Sequence, residues 1–333
     1  MEIANRPTRR QCLVTLAGLL ALTGANSARP SLAEDASYPQ RPITLLVPWP
    51  AGGSTDLSMR ILALEAGKYL RQPLVIENRP GAGGTMAMPL LLTARPDGYT
   101  LAQLPLPVFR IAHTQKVLWD PIRDTTPIIQ ISGYTFGIVV PVNSPFLTVA
   151  DMLNWARAHP GELNVGSNGI GTTPHTAMEE LLERQGITYV HIPYKGTAEQ
   201  MMAVASGQLM VGVNSTGFAP FVESGRLRLL ATFGEHRSKR WPYAPTMKEL
   251  GLGVVAMSPY GIVGPRGLPA TVVRTLHDAF KAAMNEPNHL HEISKYDQEL
   301  NYLAPDDYGR FMRETNAAEK RAVERLGQMK SGT

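Results

Sequence analysis

Ile43-Thr-Leu-Leu-Val-Pro-Trp-Pro-Ala-Gly-Gly-Ser-Thr-Asp-Leu57 decides how this chain is read. The stretch begins as an apolar run bounded by prolines, the pattern of a buried strand. It breaks at Pro48, Pro50, Gly52 and Gly53, then restarts with Ser54-Thr55-Asp56 ahead of Met59, Ile61, Leu62 and Leu64 at helical spacing. Ser, Thr or Asp just before such a series is a helix N-cap signal. A strand that turns through glycines into a helix aims several free backbone N–H groups, and the positive end of a helix dipole, at one point. That arrangement suits an anion and needs no basic side chain. The same glycine pair also serves a plain tight turn, so a ligand site requires a second wall from elsewhere in the chain.

Working outward, the alternation continues. A strand over 74–77 runs into Asn78-Arg-Pro-Gly-Ala-Gly-Gly-Thr85 and a helix from Met86 to about Thr93; Pro96-Asp-Gly98 then turns into a strand over 99–102. This is β-α-β-α-β, the order of a parallel sheet with helices on its faces. Residues 105–119 carry no clear period and receive no assignment. The β-branched run 127–140, with Gly133 and Gly137 inside it, reads as a long strand able to cross from one domain to another, and 259–265 as a second crossover.

Between the crossovers the same logic recurs. A helix starting at Thr148 ends before Pro160-Gly161; a strand over 163–166 leads into Ser167-Asn-Gly-Ile-Gly-Thr-Thr-Pro-His175 and a helix to Arg184. A strand over 189–192 ends in Pro193-Tyr-Lys-Gly-Thr197 and a helix to Ser206. A strand over 210–213 ends in Asn214-Ser-Thr-Gly217, with another strand over 226–232. Each strand closes on a Gly/Ser/Thr/Asn loop, and ligands of open α/β sheets gather at such strand ends. Two helices finish the chain, Ala270–Met284 and one from Pro305 onward, whose charged run 314–325 reads as a solvated face.

Composition narrows the function classes. With 333 residues, 44% hydrophobic and 18% charged, the chain is long enough for two domains with cores. Residues 1–33 read as an export signal: Arg9-Arg10 precede the moderate apolar run 13–22, and Ser31-Leu-Ala33 offers small residues for cleavage. The paired arginines fit a twin-arginine signal or an ordinary Sec signal alike, and the run is too short for a membrane anchor. This segment holds four arginines against one glutamate, so the rest of the chain carries +1 of the total +4. Such a balance argues against nucleic acid or an anionic membrane as partner. The single cysteine, Cys12, lies in the same segment, so a processed chain has neither disulfides nor thiolate chemistry. The expectation is a soluble, exported protein.

Motifs for chemistry fail one by one. Gly81-Ala-Gly83-Gly84 sits where a dinucleotide fingerprint would lie, but the third glycine position is Met86. Gly166-Ser-Asn-Gly-Ile-Gly171 has Walker A glycine spacing with Thr172 in place of the lysine. Ser167 is not in G-x-S-x-G, and the eight histidines show no metal-ligand spacing, although His175 and His191 could meet in space. An exported hydrolase using His175 with a Ser or Thr is left without a nucleophile turn or an orienting acid. What remains is a set of neutral, helix-capping loops in two βα halves, a cleft for a small anion.

Tyr38-Pro-Gln-Arg-Pro42, Val47-Pro-Trp-Pro-Ala-Gly-Gly-Ser-Thr-Asp56, Val75-Ile-Glu-Asn-Arg-Pro-Gly-Ala-Gly-Gly84, Pro96-Asp-Gly-Tyr-Thr-Leu101 and His191-Ile-Pro-Tyr-Lys-Gly196 resemble the Bug (TctC-type) solute receptors of tripartite tricarboxylate transporters. The resemblance runs from about Tyr38 to the C-terminus. It implies an α/β, two-lobed periplasmic binding protein with two sheets joined by crossover strands. Residues 35–134 with 257–333 would form one lobe and 135–256 the other. It implies a monomer in the periplasm that binds a small organic carboxylate between the lobes without catalysis, cofactor or metal. The carboxylate would be delivered to membrane transporter subunits, or its presence signalled to a membrane sensor. Carried over residue by residue, the first-lobe site is Trp49, Gly53, Ser54 and Thr55 with Gly83, Gly84 and Thr85, Asp56 serving as a helix cap. The second-lobe site is Ser167, Asn168, Gly169, Thr172, His175, Tyr194, Lys195, Gly196 and Thr197, with Asn214 and Tyr260 as further candidates. Departures from the family pattern lie at the cleft: Trp-Pro-Ala-Gly-Gly replaces Phe-Ala-Pro-Gly-Gly, Leu104-Pro-Leu-Pro107 replaces small polar residues, and Val213-Asn214 stands where an Asp-Asn pair is common. Ligand identity therefore does not carry over from any relative.

Overall fold

Ile43, Leu45, Leu46 and Val47 are all shut off from water, so the first strand is covered on both faces, as strands of a parallel sheet are. The computed structural model describes residues 38–331, and the expected signal segment with Cys12 lies outside them. β1 (Ile43–Val47) is followed by α1 (Ser54–Leu70), β2 (Leu74–Asn78), α2 (Ala87–Thr93), β3 (Thr100–Pro105) and α3 (Pro107–Thr114). β2 and β3 pair with β1 in parallel on either side of it. Then comes β4 (Thr125–Pro141), a strand of 17 residues.

The second series is α4 (Val149–Ala158), β5 (Asn164–Ser167), α5 (Thr173–Arg184), β6 (Val190–Pro193), α6 (Thr197–Ala205), β7 (Val211–Ser215), α7 (Ala219–Glu223) and β8 (Leu227–Thr232). β5 pairs in parallel with both β6 and β7. The chain returns through β9 (Met257–Pro265) and closes with α8 (Ala270–Met284), α9 (Pro287–Ser294), β10 (Leu300–Leu303) and α10 (Pro305–Ser331). Strand order is β2-β1-β3-β9-β4-β7-β5-β6, with β8 and β10 also pairing with β4.

β4 is the strand that both series share. Residues 125–135 run antiparallel to β9, with Thr135 opposite Met257. From Phe136 onward the same strand pairs instead with β7 and β8. One core gathers Met88, Leu104, Phe109, Trp119, Tyr308 and Met312 around the first series. Another gathers Val139, Met201, Leu209, Phe218 and Trp241 around the second. α4 opens with a reciprocal capping box: Asp151 N–H donates to Thr148 Oγ1, and Thr148 N–H donates to Asp151 Oδ2.

The elements depart from the sequence reading at definite places. α1 begins at Ser54, so Ser54, Thr55 and Asp56 form its first turn and Gly53 is the N-cap. β3 runs on to Pro105 because Gln103, Leu104 and Pro105 pair with β9. β7 takes in Asn214 and Ser215, expected in a loop, because they face Gly137 and Phe136 of β4. The unassigned stretch contains α3, with Pro107 at its start. The short α7, α9 and the half-exposed β10 carry too little periodicity to be seen from sequence.

Candidate functional site

The glycine turn after β1 is built by charge as well as by backbone freedom. Gly52 sits at φ +82°, a left-handed conformation that glycine adopts without cost. Its N–H donates to Asp56 Oδ2 at 2.8 Å. Arg60 Nε donates to the same oxygen at 3.0 Å, and Asn78 Nδ2 donates to Oδ1 at 2.8 Å. Burial alone would raise the Asp56 pKa. The Arg60, Gly52 and Asn78 hydrogen bonds outweigh it and hold the carboxyl below its usual range, so Asp56 is an anion fully engaged by protein donors. It ties the turn to β2 and the first turn of α1, and is not part of the cavity wall.

The second wall comes from α5 and α6. Thr172 is the N-cap of α5, but its hydroxyl donates to Gly169 O at 2.7 Å rather than to the helix. Gly196 caps α6 and has no side chain to offer. Thr197 Oγ1 donates to Asn214 Oδ1 at 3.1 Å, and Asn214 Nδ2 donates to Gln200 Oε1. Gln200 Nε2 in turn donates to Gly166 O at 2.7 Å and Val213 O at 3.1 Å, which locks α6 onto β5 and β7.

Behind the Ser167–Thr172 loop lies a histidine pair. His175 and His191 have ring centroids 4.0 Å apart. Ser167 Oγ lies 2.7 Å from His191 Nε2, Gly171 N–H donates to His175 Nδ1 at 3.2 Å, and His175 Nε2 faces Glu179 at 3.6 Å. Burial, with the neighbouring His175 adding to it, pushes the His191 pKa down to about 4, so His191 is neutral in ordinary buffers.

These walls enclose a cavity of about 350 Å³. Trp49, Pro50, Ala51, Gly53, Ser54 and Thr55 line it from the first series, and Asn168, Thr172, Thr173, Pro174 and 195–199 from the second. A further cavity of about 250 Å³ shares Trp49, Asn168 and Lys195 with it and is lined by 81–84, Gly169, Ile170 and Tyr194. The Gly83, Gly84, Gly169 and Tyr194 positions therefore belong to this second compartment. Thr85, Ser167, His175, Asn214 and Tyr260 stand behind the walls: Thr85 Oγ1 donates to Ala82 O, and the Tyr260 ring stacks on Tyr134 at 4.6 Å. Sequence reasoning missed Pro107, Tyr134, Phe136, Ser215 and Ser258 in the main cavity wall. The last four project from β4, β7 and β9, where only the crossover pairing brings them to the cleft.

The two series meet closely around this space. A Cβ placed on Gly196 would fall 2.7 Å from Pro50 Cγ, and one on Gly83 would fall 3.0 Å from Ile170 O. The Trp49 ring lies against Gly84, where a Cβ would fall 2.8 Å from Cη2. Arg110 on α3 is paired with Glu319 at 2.6 Å and also donates to Thr176 of α5.

Chemically, helices of 17, 12 and 9 residues bring their N-termini to one cavity, and none has a side-chain cap. The orphan N–H groups and positive dipole ends of three helices thus share one space, a setting for an anion. Among the described residues, no group of three or more His, Cys, Asp or Glu is placed to hold a metal ion. No described helix is long and apolar enough to cross a membrane.

Comparison with known proteins bears on the fold and the family. A family model described as tripartite tricarboxylate transporter family receptor matches residues 58–328. A UPF0065 protein in the gbd 5′ region of Cupriavidus necator is 46% identical over 325 residues, covering 97% of this chain and 99% of the relative. The solved periplasmic binding protein BugD superposes with a TM-score of 0.82 at 26% identity, covering 87% of this chain and 99% of its own. MatC from Rhodopseudomonas palustris, solved with malate bound, gives 0.81 at 25% identity and covers 86% and 100%. R. palustris Rpa4515, solved with adipate, gives 0.81 at 27% identity and covers 88% and 98%. The mixed α/β architecture with its curled sheet is that of the two-lobed periplasmic binding proteins.

Proposed function

We propose that this chain, which belongs to the tripartite tricarboxylate transporter receptor family, binds a small organic carboxylate between two lobes and hands it to membrane transporter subunits. The family consists of solute-binding receptors, and its members are periplasmic binding proteins. The lobes are residues 35–134 with 257–333, and 135–256. This division is supported by β4, whose partners change between Thr135 and Phe136. Export would remove about the first 33 residues, and the processed receptor would act as a monomer, binding without turnover, metal or cofactor.

The observation that carries this reading is the convergence of α1, α5 and α6 on one neutral cavity. Three uncapped helix ends satisfy a carboxylate with backbone donors, and water excluded by the surrounding prolines and aromatics strengthens each contact. Solved relatives that hold malate and adipate support the same ligand chemistry.

A thermal-shift screen of mono- and dicarboxylates tests it, because a ligand at 100 times its Kd adds about 2.7 kcal/mol of stability. At least one carboxylate should raise Tm, and chelator should leave that shift unchanged. Trp49 is the one tryptophan in the wall of either binding compartment. Trp119 and Trp241 are core residues, and Trp155 stacks on His159 at 4.2 Å. Titration should therefore change the emission of wild type and leave Trp49→Phe nearly silent. A panel without any shift, or an unchanged signal in Trp49→Phe, defeats the assignment.

A further inference from the structure

Resting on that reading, we infer that the ligand is a monocarboxylate carried on an apolar body, a ring or a short chain, rather than a small di- or tricarboxylate. The charge available in the main cavity is enough for one anion. Each helix N-terminus presents roughly half a positive charge, so α1, α5 and α6 together offset one carboxylate with little left for a second. Among the described residues Lys195 and Glu199 are the only charged side chains in the wall, and both are exposed, so they face water and oppose each other in sign. Among the described residues the wall contains no arginine, the side chain best shaped to grip a second carboxylate in two-pronged fashion.

Between the neutral hydroxyls and amide that also line it, among them Ser54, Thr55, Asn168, Thr173 and Ser258, the wall has broad apolar faces. Phe136 on β4 is buried and faces the cavity with Trp49, Pro50, Pro107 and Pro174. A carboxylate set against such faces loses its hydration without gaining donors, whereas methylene or ring carbon there gains by leaving water. The space, about 350 Å³, exceeds what a bare carboxylate fills. An apolar body takes up the remainder.

Matched pairs of acids separate the second carboxylate from everything else. Hexanoate and adipate share six carbons and differ in one terminal group; benzoate and terephthalate do the same on a ring. Isothermal titration of the processed, exported chain should show the monoacid of at least one pair binding tenfold or more tighter than its diacid partner, and also tighter than malate or citrate. The Phe136→Thr variant should weaken binding of that monoacid about tenfold while leaving acetate, which reaches only the helix ends, within about twofold. Tighter binding of either diacid than of its monoacid partner overturns the inference, as does equal binding within both pairs. Preference for malate or citrate overturns it too and leaves the receptor assignment standing. Equal weakening of acetate in Phe136→Thr shows that the ring supports the fold rather than the ligand, and also overturns it. If no carboxylate of any kind binds, the receptor reading falls with it.

Discussion

Ser54 and Thr197 occupy equivalent first positions of α1 and α6, yet their hydroxyls are differently committed. Thr197 spends its proton on Asn214, whereas Ser54 has no hydrogen bond to protein among the described residues and lines the cavity. In the proposed receptor this makes the Ser54 hydroxyl a side-chain donor open to the anion. A hydrogen bond to a charged group contributes ~1.5–3 kcal/mol, so Ser54→Ala should weaken carboxylate binding by about one to two orders of magnitude in calorimetric titration, with Tm of the free protein little changed. His191 gives a separate prediction. Its ordinary pKa of 6.5 falls to about 4 in the fold. As pH drops through that window the unfolded chain takes up a proton that the folded chain refuses, so stability is lost on acidification from about 6.5 to 4. Allowing for partial exposure, the loss is on the order of 1–2 kcal/mol. Chemical denaturation across pH 7 to 4 should show a shallower decline in His191→Gln than in wild type. The loop residues of the site were legible because capping chemistry is local. Phe136 and Ser258 were not, because an apolar residue or a serine inside a strand carries no sign of which cavity its face will border.

At the scale of elements, the glycines of the two capping turns do different work. Gly53 has φ −78°, and a Cβ there would sit 3.7 Å from its nearest neighbour, an ordinary contact. Gly196 also has an extended backbone any residue can adopt, at φ −164°, but its missing Cβ makes room for Pro50 from the opposite series. Gly196→Ala should therefore leave each half intact and obstruct their approach. Overpacking of this kind costs ~1–3 kcal/mol, so ligand affinity should fall about tenfold or more. The Tm without ligand should fall by no more than this cost allows, and by less than the affinity if the halves part around the added methyl. An unchanged affinity in titration would mean that Pro50 and Gly196 need not meet for binding. The helices that carry the site were visible from sequence because Gly, Thr and Pro punctuate their starts. The start of α1 was placed late because Ser54-Thr55-Asp56 reads as a cap. The cap itself is Gly53, while Asp56 serves the turn by reaching back to the Gly52 N–H.

For the whole molecule, the alternation of strand and helix made the α/β class readable, and the apolar run 127–140 read as a strand long enough to serve both series, as β4 does. The meeting of β4 with four other strands did not show, because pairing between residues far apart in sequence leaves no local mark. β10 was missed for that reason: its half-exposed residues become a strand only where Leu300 and Leu303 meet Ser132 and Gln130. β4 also has a consequence for how the chain melts. Receptors divided into halves are often expected to lose them one at a time, but here a single 17-residue strand supplies hydrogen-bonding edges to both. Neither half can keep its sheet while the other's stretch of β4 dissolves, so the two lose their order together. Scanning calorimetry should record one endotherm with matching calorimetric and van't Hoff enthalpies. Two resolved peaks would show that the shared strand can be cut thermally at Thr135. By the same reasoning residues 135–256 expressed alone should behave as an aggregating fragment rather than as a domain, since the cut severs β4 at Thr135 and removes both its first ten residues and the β9 strand they pair with.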